Sequence, residues 1–168
     1  MSFEIASPTE LLVASAIKYA IWPRLLSKKC PTENLKRVET LLMHNACVFM
    51  ILIEVCFLGK IPILLSDVAL APLFGITYIL FSWYMSDKWV QMNYNNNYYR
   101  AGPQFLYFFL DTTLGIASTV ALLVLLMVLL LFYIFFWLAD DILSHVPSFA
   151  GRLGAILLVS SVFCRFRD

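Results

Sequence analysis

The sequence predicts an all-α, multi-spanning membrane protein of about four spans followed by a short amphipathic C-terminal helix. Three observations carry this. Hydrophobic residues make up 61% of the 168 and charged residues 14%, where an ordinary globular domain carries ~25% charge. The apolar residues are gathered into runs, several of them as long as the ~20 residues that cross a ~30 Å hydrocarbon core. Between the runs lie basic and aromatic residues, the composition of membrane–water interfaces.

Taken in order, the first run, 5–22, is the shortest and carries Glu10 and Lys18, each near an end where a long side chain can snorkel to the interface. Residues 38–58 have full spanning length and hold His44 and Glu54. Residues 61–83 begin at Pro62, include Asp67 and Pro72, and end in aromatic residues. The most apolar run, 114–138, is interrupted only by Gly115, Ser118 and Thr119. Its apolar character begins as early as Phe105, which is too long for one span, so Asp111-Thr112-Thr113 marks a cap or a break. Ala139-Asp140-Asp141 ends the span. Residues 1–139 thus read as the transmembrane domain and 140–168 as a polar and amphipathic tail, in which 152–166 suit an interfacial helix.

The connections agree with this division. Pro23 and Pro31 are expected to break helix between the first two spans. Gly59-Lys60 allows only a tight reversal, and 87–104 is polar and tyrosine-rich. Arg24, Lys28, Lys29, Lys36, Arg37, Lys88 and Arg100 fall on one side and Lys60 on the other. The excess places the first and third loops in the cytoplasm, with Arg152, Arg165 and Arg167 of the tail cutting across the count. No secretory signal is expected, because Glu4 and Glu10 come early and no basic segment precedes them.

A net charge of +1 without a basic stripe speaks against nucleic acid as a partner. The four cysteines form no C-x-x-C pair, so reduced, buried thiols are expected rather than zinc or a disulfide framework. No cofactor is implied. The residues that stand out are His44 and Glu54, since ionisable groups at membrane depth are costly and are functional candidates by default. His44, Cys47, Ile51 and Glu54 share one helix face within an arc of about 80°. His44 reads equally as a general base or as a histidine packed against a neighbouring helix. Thr40 and Cys47 lie on its face, but side-by-side projection from one helix makes each a poor nucleophile partner. Thr9, Thr77, Ser82, Thr112, Thr113 and Thr119 are further hydroxyls. Asp67 and Asp111 could orient the imidazole, but suit an interface and a helix cap better.

Met43-His44-Asn45-Ala46-Cys47 followed by Phe49-Met50-Ile51-Leu52-Ile53-Glu54 resembles the central motif of the androgen-induced family of integral membrane proteins. Ile21-Trp22-Pro23-Arg24-Leu25-Leu26 is similar to that family's aromatic-Pro-basic element. Gly75-Ile76-Thr77-Tyr78-Ile79-Leu80, Gly102-Pro103 and Phe108-Phe109 resemble later motifs in the same order. The resemblance implies a lipid-ester hydrolase, with membrane lipids and a fatty-acid ester of a hydroxy fatty acid as its partners. It also implies a multi-pass protein of the endoplasmic reticulum or another endomembrane. By motif His44 matches the family's catalytic histidine. The family's threonine nucleophile lies on a span upstream of the aromatic-Pro-basic element and has no match here; Thr9 does not take its place. Asp87-Lys88-Trp89-Val90-Gln91 departs from the family pattern as well. Two expectations follow: little ester hydrolysis by this chain unaided, with His44 as its catalytic residue, or a non-catalytic membrane scaffold in which His44 and Glu54 pin helices together.

The charge count makes a topological prediction. In sealed microsomes, Cys30 should react with an impermeant maleimide added from the cytosolic side, and labelling from the lumenal side alone would invert the assignment.

Overall fold

The computed structural model describes residues 3–27, 36–59, 61–86, 107–145 and 148–165, and the regular elements among them are all helical. Three stretches are long and apolar enough to cross a membrane: Val38–Leu58, Leu65–Met85 and Ile116–Leu143. They face outward over most of their surface, with as little as 11% of the second buried in the protein. Apolar side chains such as Leu73, Leu80, Leu123, Met127 and Leu131 are exposed along them, which is the surface that lipid requires.

The first helix is of a different kind. α1 (Phe3–Ser15) passes through a π-helical segment (Ala16–Ile21) into α2 (Trp22–Ser27). It is not among the three strongly apolar stretches. Instead it sits inside the bundle, packed against α3 (Val38–Ile53), α4 (Leu70–Met85) and α5 (Ile116–Ser144), with Ser7, Pro8, Leu11 and Ala14 buried. Its polar side chains are satisfied by its own backbone. Ser7 Oγ donates to the Phe3 carbonyl at 2.8 Å, Thr9 Oγ1 to Ile5 at 2.6 Å and Ser15 Oγ to Leu11 at 2.6 Å. Pro23 does not end the helix, contrary to expectation. A proline ring clashes with the carbonyl four residues back and supplies no N–H. The wider π turn just before it loosens the backbone there, so the rod continues to Ser27.

The 38–58 span has the bounds read from the sequence. α3 is prolonged by a π-helical turn (Glu54–Leu58) and stopped by Gly59, whose φ of 55° lies in the left-handed region. The Gly59 N–H donates to the Glu54 carbonyl at 2.7 Å, closing the helix end. The return segment is held from both sides. Leu64 N–H donates to Glu4 Oε1 at 3.1 Å, and its carbonyl accepts from the buried Tyr133 hydroxyl at 2.6 Å. Pro72 falls in the first turn of α4, where its missing N–H leaves no bond unmade.

Asp111 is both cap and break. Its Oδ1 accepts from Thr113 Oγ1 at 2.6 Å and from Thr113 N–H at 2.9 Å, two bonds that hold its carboxyl below the usual aspartate range. The cap is therefore in force at neutral pH and is lost only as the pH falls below that of an ordinary aspartate. Gly115, at φ 57°, then turns the chain into α5. Trp83 Nε1 donates to the Leu110 carbonyl at 3.0 Å and Ser118 Oγ to Phe109 at 2.8 Å, fastening this break to the bundle. α5 runs on through Asp140 and Asp141 to Ser144, past the end read from the sequence. Acidic residues end burial in hydrocarbon, but they do not interrupt helical hydrogen bonds.

α6 (Phe149–Phe163) closes the assembly. Ser148 caps it by accepting from the Gly151 N–H. Apolar side chains cover its outward face, with Phe149, Leu153, Leu157, Leu158 and Val162 exposed, while Ile156 and Ser160 are buried. Two basic residues secure it. Arg152 Nη1 donates to the Cys56 carbonyl at 3.0 Å, in the last turn of the second span. Lys18 Nζ donates to the carbonyls of Ser161 at 2.8 Å and Val162 at 2.7 Å, in the last turn of α6, and Tyr19 adds its hydroxyl to Val162. Cations thus meet the negative ends of two helices, where four carbonyls otherwise lack partners. Lys18 does not snorkel, because a better-fitting acceptor lies beside it. α6 also returns the chain to the end of the bundle that holds Trp22. Arg165 lies there, its Cζ 3.4 Å from the Trp22 ring centroid, while Arg152 stays at the opposite end.

The Lys18 contact can be tested through Cys164, which is buried behind it at 1% exposure. With Cys30, Cys47 and Cys56 changed to alanine, Lys18→Met should raise the rate of Cys164 alkylation by about ten- to a hundredfold. That is the weight of hydrogen bonds from a charged donor, about 1.5–3 kcal/mol. An unchanged rate would show that the contact does not hold α6 in place.

Candidate functional site

Because α1 is surrounded by protein rather than lipid, the voids of the bundle lie along its sides. The larger of two is a cavity of about 340 Å³ between α1, its π segment, α4 and α5, with Tyr107, Phe109 and Leu110 also in its lining. That volume lies in the range of small-molecule sites. Leu12, Val13, Ala16, Phe74, Leu122, Leu125 and Leu126 supply most of its wall. From Thr9 to Ile21 it follows the first helix for about 18 Å at 1.5 Å per residue. Gly75 sets its depth on the α4 side. A Cβ there would stand 2.9 Å from Leu126 Cδ2 and 3.1 Å from Leu129 Cδ2, so any larger residue would make these two leucine ends shift. The polar groups in the wall are Thr9, Glu10, Tyr78 and Tyr107. Tyr107 stacks on Phe109 with ring centroids 5.1 Å apart, and its burial pushes its phenol above the usual tyrosine range.

His44 lies on the other side of α1. With Ala14, Ile17, Thr40, Leu41, Asn45 and Arg165 it borders a void of about 10 Å³, close to the room one water molecule needs. Asn45 Nδ2 donates to the Arg165 carbonyl at 2.8 Å and fixes the floor of this void. Ile17 borders both spaces, and Glu10 spans the two in another way. It lines the large cavity, and its charge is the one that acts on His44 and on Cys47. The helical repeat explains this. Glu10, Ala14 and Ile17 follow at i, i+4 and i+7 on α1, so Glu10 stands one turn beyond the His44 void on the same stripe.

Of the residues singled out in the sequence, only Thr40 shares the void with His44. Cys47 is half-buried, and its thiol donates within its own helix to Met43 at 3.9 Å. Glu54 begins the π turn ten residues farther along the span, about 15 Å away, so the shared face does not bring the two ionisable groups together. Asp111 serves its cap and Asp67 accepts from Ser66 at 3.1 Å, both away from the imidazole. Thr77 donates to Leu73 at 2.9 Å and Thr113 to Asp111. Cys47, Cys56 and Cys164 are free thiols, and among the described residues no three His, Cys, Asp or Glu side chains converge to hold a metal.

Glu10, read as an end-of-span group able to snorkel, is half-buried and lines the cavity between α1, α4 and α5. The signal for it was the i, i+4, i+7 stripe of Glu10, Ala14 and Ile17 on the least apolar helix. Arg165 and Asn45 gave none, since they meet across 120 residues of chain. No family model, curated protein or solved structure matches this chain, so the androgen-induced resemblance rests on the motifs of the sequence itself.

Proposed function

We propose that the protein takes the acyl chain of a membrane lipid ester into its helix bundle. The cavity between α1, α4 and α5 carries this reading: about 340 Å³ of almost wholly apolar wall, long and narrow along the first helix, inside a protein whose outer surface already faces lipid. An apolar space lined by a few polar groups suits a chain with one polar substituent. A cavity-lining position tests it. Val13→Phe places a ring in the space and should lower labelling by a diazirine-bearing acyl ester at least tenfold in nanodiscs, with insertion unchanged. In the parent protein the label should map to α1, α4 and the inner face of α5. Labels confined to outward residues such as Leu123 and Met127 would sink the proposal.

A second reading, hydrolysis of that ester with His44 as general base, is favoured by the water-sized void beside His44 and by the acidic side chain near it. Thr9, Thr77 and Thr113 donate their hydroxyl protons to Ile5, Leu73 and Asp111 rather than to His44. Where ester cleavage is measured, His44→Gln should lower the rate 10²–10⁴-fold while expression and insertion survive. Cys47→Ala is the control. A larger loss from Cys47→Ala than from His44→Gln would assign the chemistry to the thiol.

A further inference from the structure

We infer that the cavity selects lipids that present a hydrogen-bond donor, a long-chain alcohol or a monoacylglycerol, over free fatty acids of the same length, and that Glu10 makes the selection. The inference rests on the acyl-binding reading above and adds the chemistry of the head group. The polar wall on α1 consists of Thr9 and Glu10. Thr9 has committed its only proton to the Ile5 carbonyl at 2.6 Å, leaving acceptor lone pairs. An ionised Glu10 also offers acceptors alone. A hydroxyl brought to this wall finds a partner for its proton. A carboxylate finds none on this wall.

Two further polar residues strengthen this. Tyr78 and Tyr107 border the same cavity, and their phenols can donate. The cavity therefore carries polar groups of opposite character in an otherwise apolar wall. A lipid whose hydroxyl lies at α1 and whose ester carbonyl lies toward the tyrosines satisfies both. A free fatty acid satisfies only one.

Binding of three probes with equal chain length separates the outcomes: a monoacylglycerol, the corresponding methyl ester, which has no donor, and the free fatty acid. Each competes against the acyl diazirine probe for purified full-length protein in nanodiscs at pH 7.4. Wild type should rank them in that order, with monoacylglycerol at least tenfold tighter than the fatty acid. Glu10→Gln keeps the shape and adds a donor, so it should bring the fatty acid to within about threefold of the monoacylglycerol. Retained protection of Cys164 reports that the variant is folded. Equal binding of the three by wild type overturns the inference while leaving acyl binding intact. So does a fatty acid that binds most tightly and is weakened by Tyr107→Phe but not by Glu10→Gln. Failure of every probe to compete overturns acyl binding and the selection together. Should Glu10→Gln not fold, the wild-type ranking alone decides.

Discussion

A helix that carries Glu4, Glu10 and Lys18 cannot present its sides to hydrocarbon, and the rest of the bundle follows from that constraint. α3, α4 and α5 are apolar enough to face lipid and form the outer wall, while α1 takes the interior position. Once inside, its hydroxyls turn back onto their own backbone carbonyls. Its Glu4 carboxylate and its Lys18 ammonium group find partners in the chain: Glu4 the Leu64 N–H, Lys18 the last carbonyls of α6. These groups are thus hydrogen-bonded within the chain, while Ser82 Oγ and Ser160 Oγ are buried without a hydrogen-bond partner.

The same arrangement divides the functional space in two. A central rod leaves room along its flanks, and here the flanks differ in size. Toward α4 and α5 the void is large, with leucine, phenylalanine and isoleucine in its wall. Toward α3 and the residues after α6 the void is small and also mostly apolar, with His44, Thr40, Asn45 and Arg165 at its border. Glu10 reaches both by standing at the edge of the stripe that separates them. The His44 void and the cavity beyond α1 thus share one carboxylate as a neighbour.

Hydropathy made the lipid-facing part of the structure legible before any coordinates. The 38–58 span and the Asp111 break could be read because solvent preference and capping chemistry act locally. What could not be read depends on neighbours. Pro23 marks a helix end unless the preceding turn widens, and nothing in Ala16–Ile21 announces a π segment. Glu10 and Lys18 look like snorkelling groups until protein surrounds them. Arg152 reads as interfacial charge, and its role as a cap on the second span exists only once α6 folds back. The candidate site shared this limit. His44 was visible as a rare residue in an apolar run, whereas its companions Arg165 and Glu10 come from elements far away in sequence.

The pairing of Lys18 with Ser161 and Val162 also orders events in time. The two partners lie 143 and 144 residues apart, so the ammonium group is synthesised long before its acceptors. Until α6 packs, Lys18 has none of these carbonyls to donate to. A premature stop before residue 149 would leave that state permanent, with all three strongly apolar spans already in place. Docking of α6 is thus the step that satisfies a cation made at the very start of the chain.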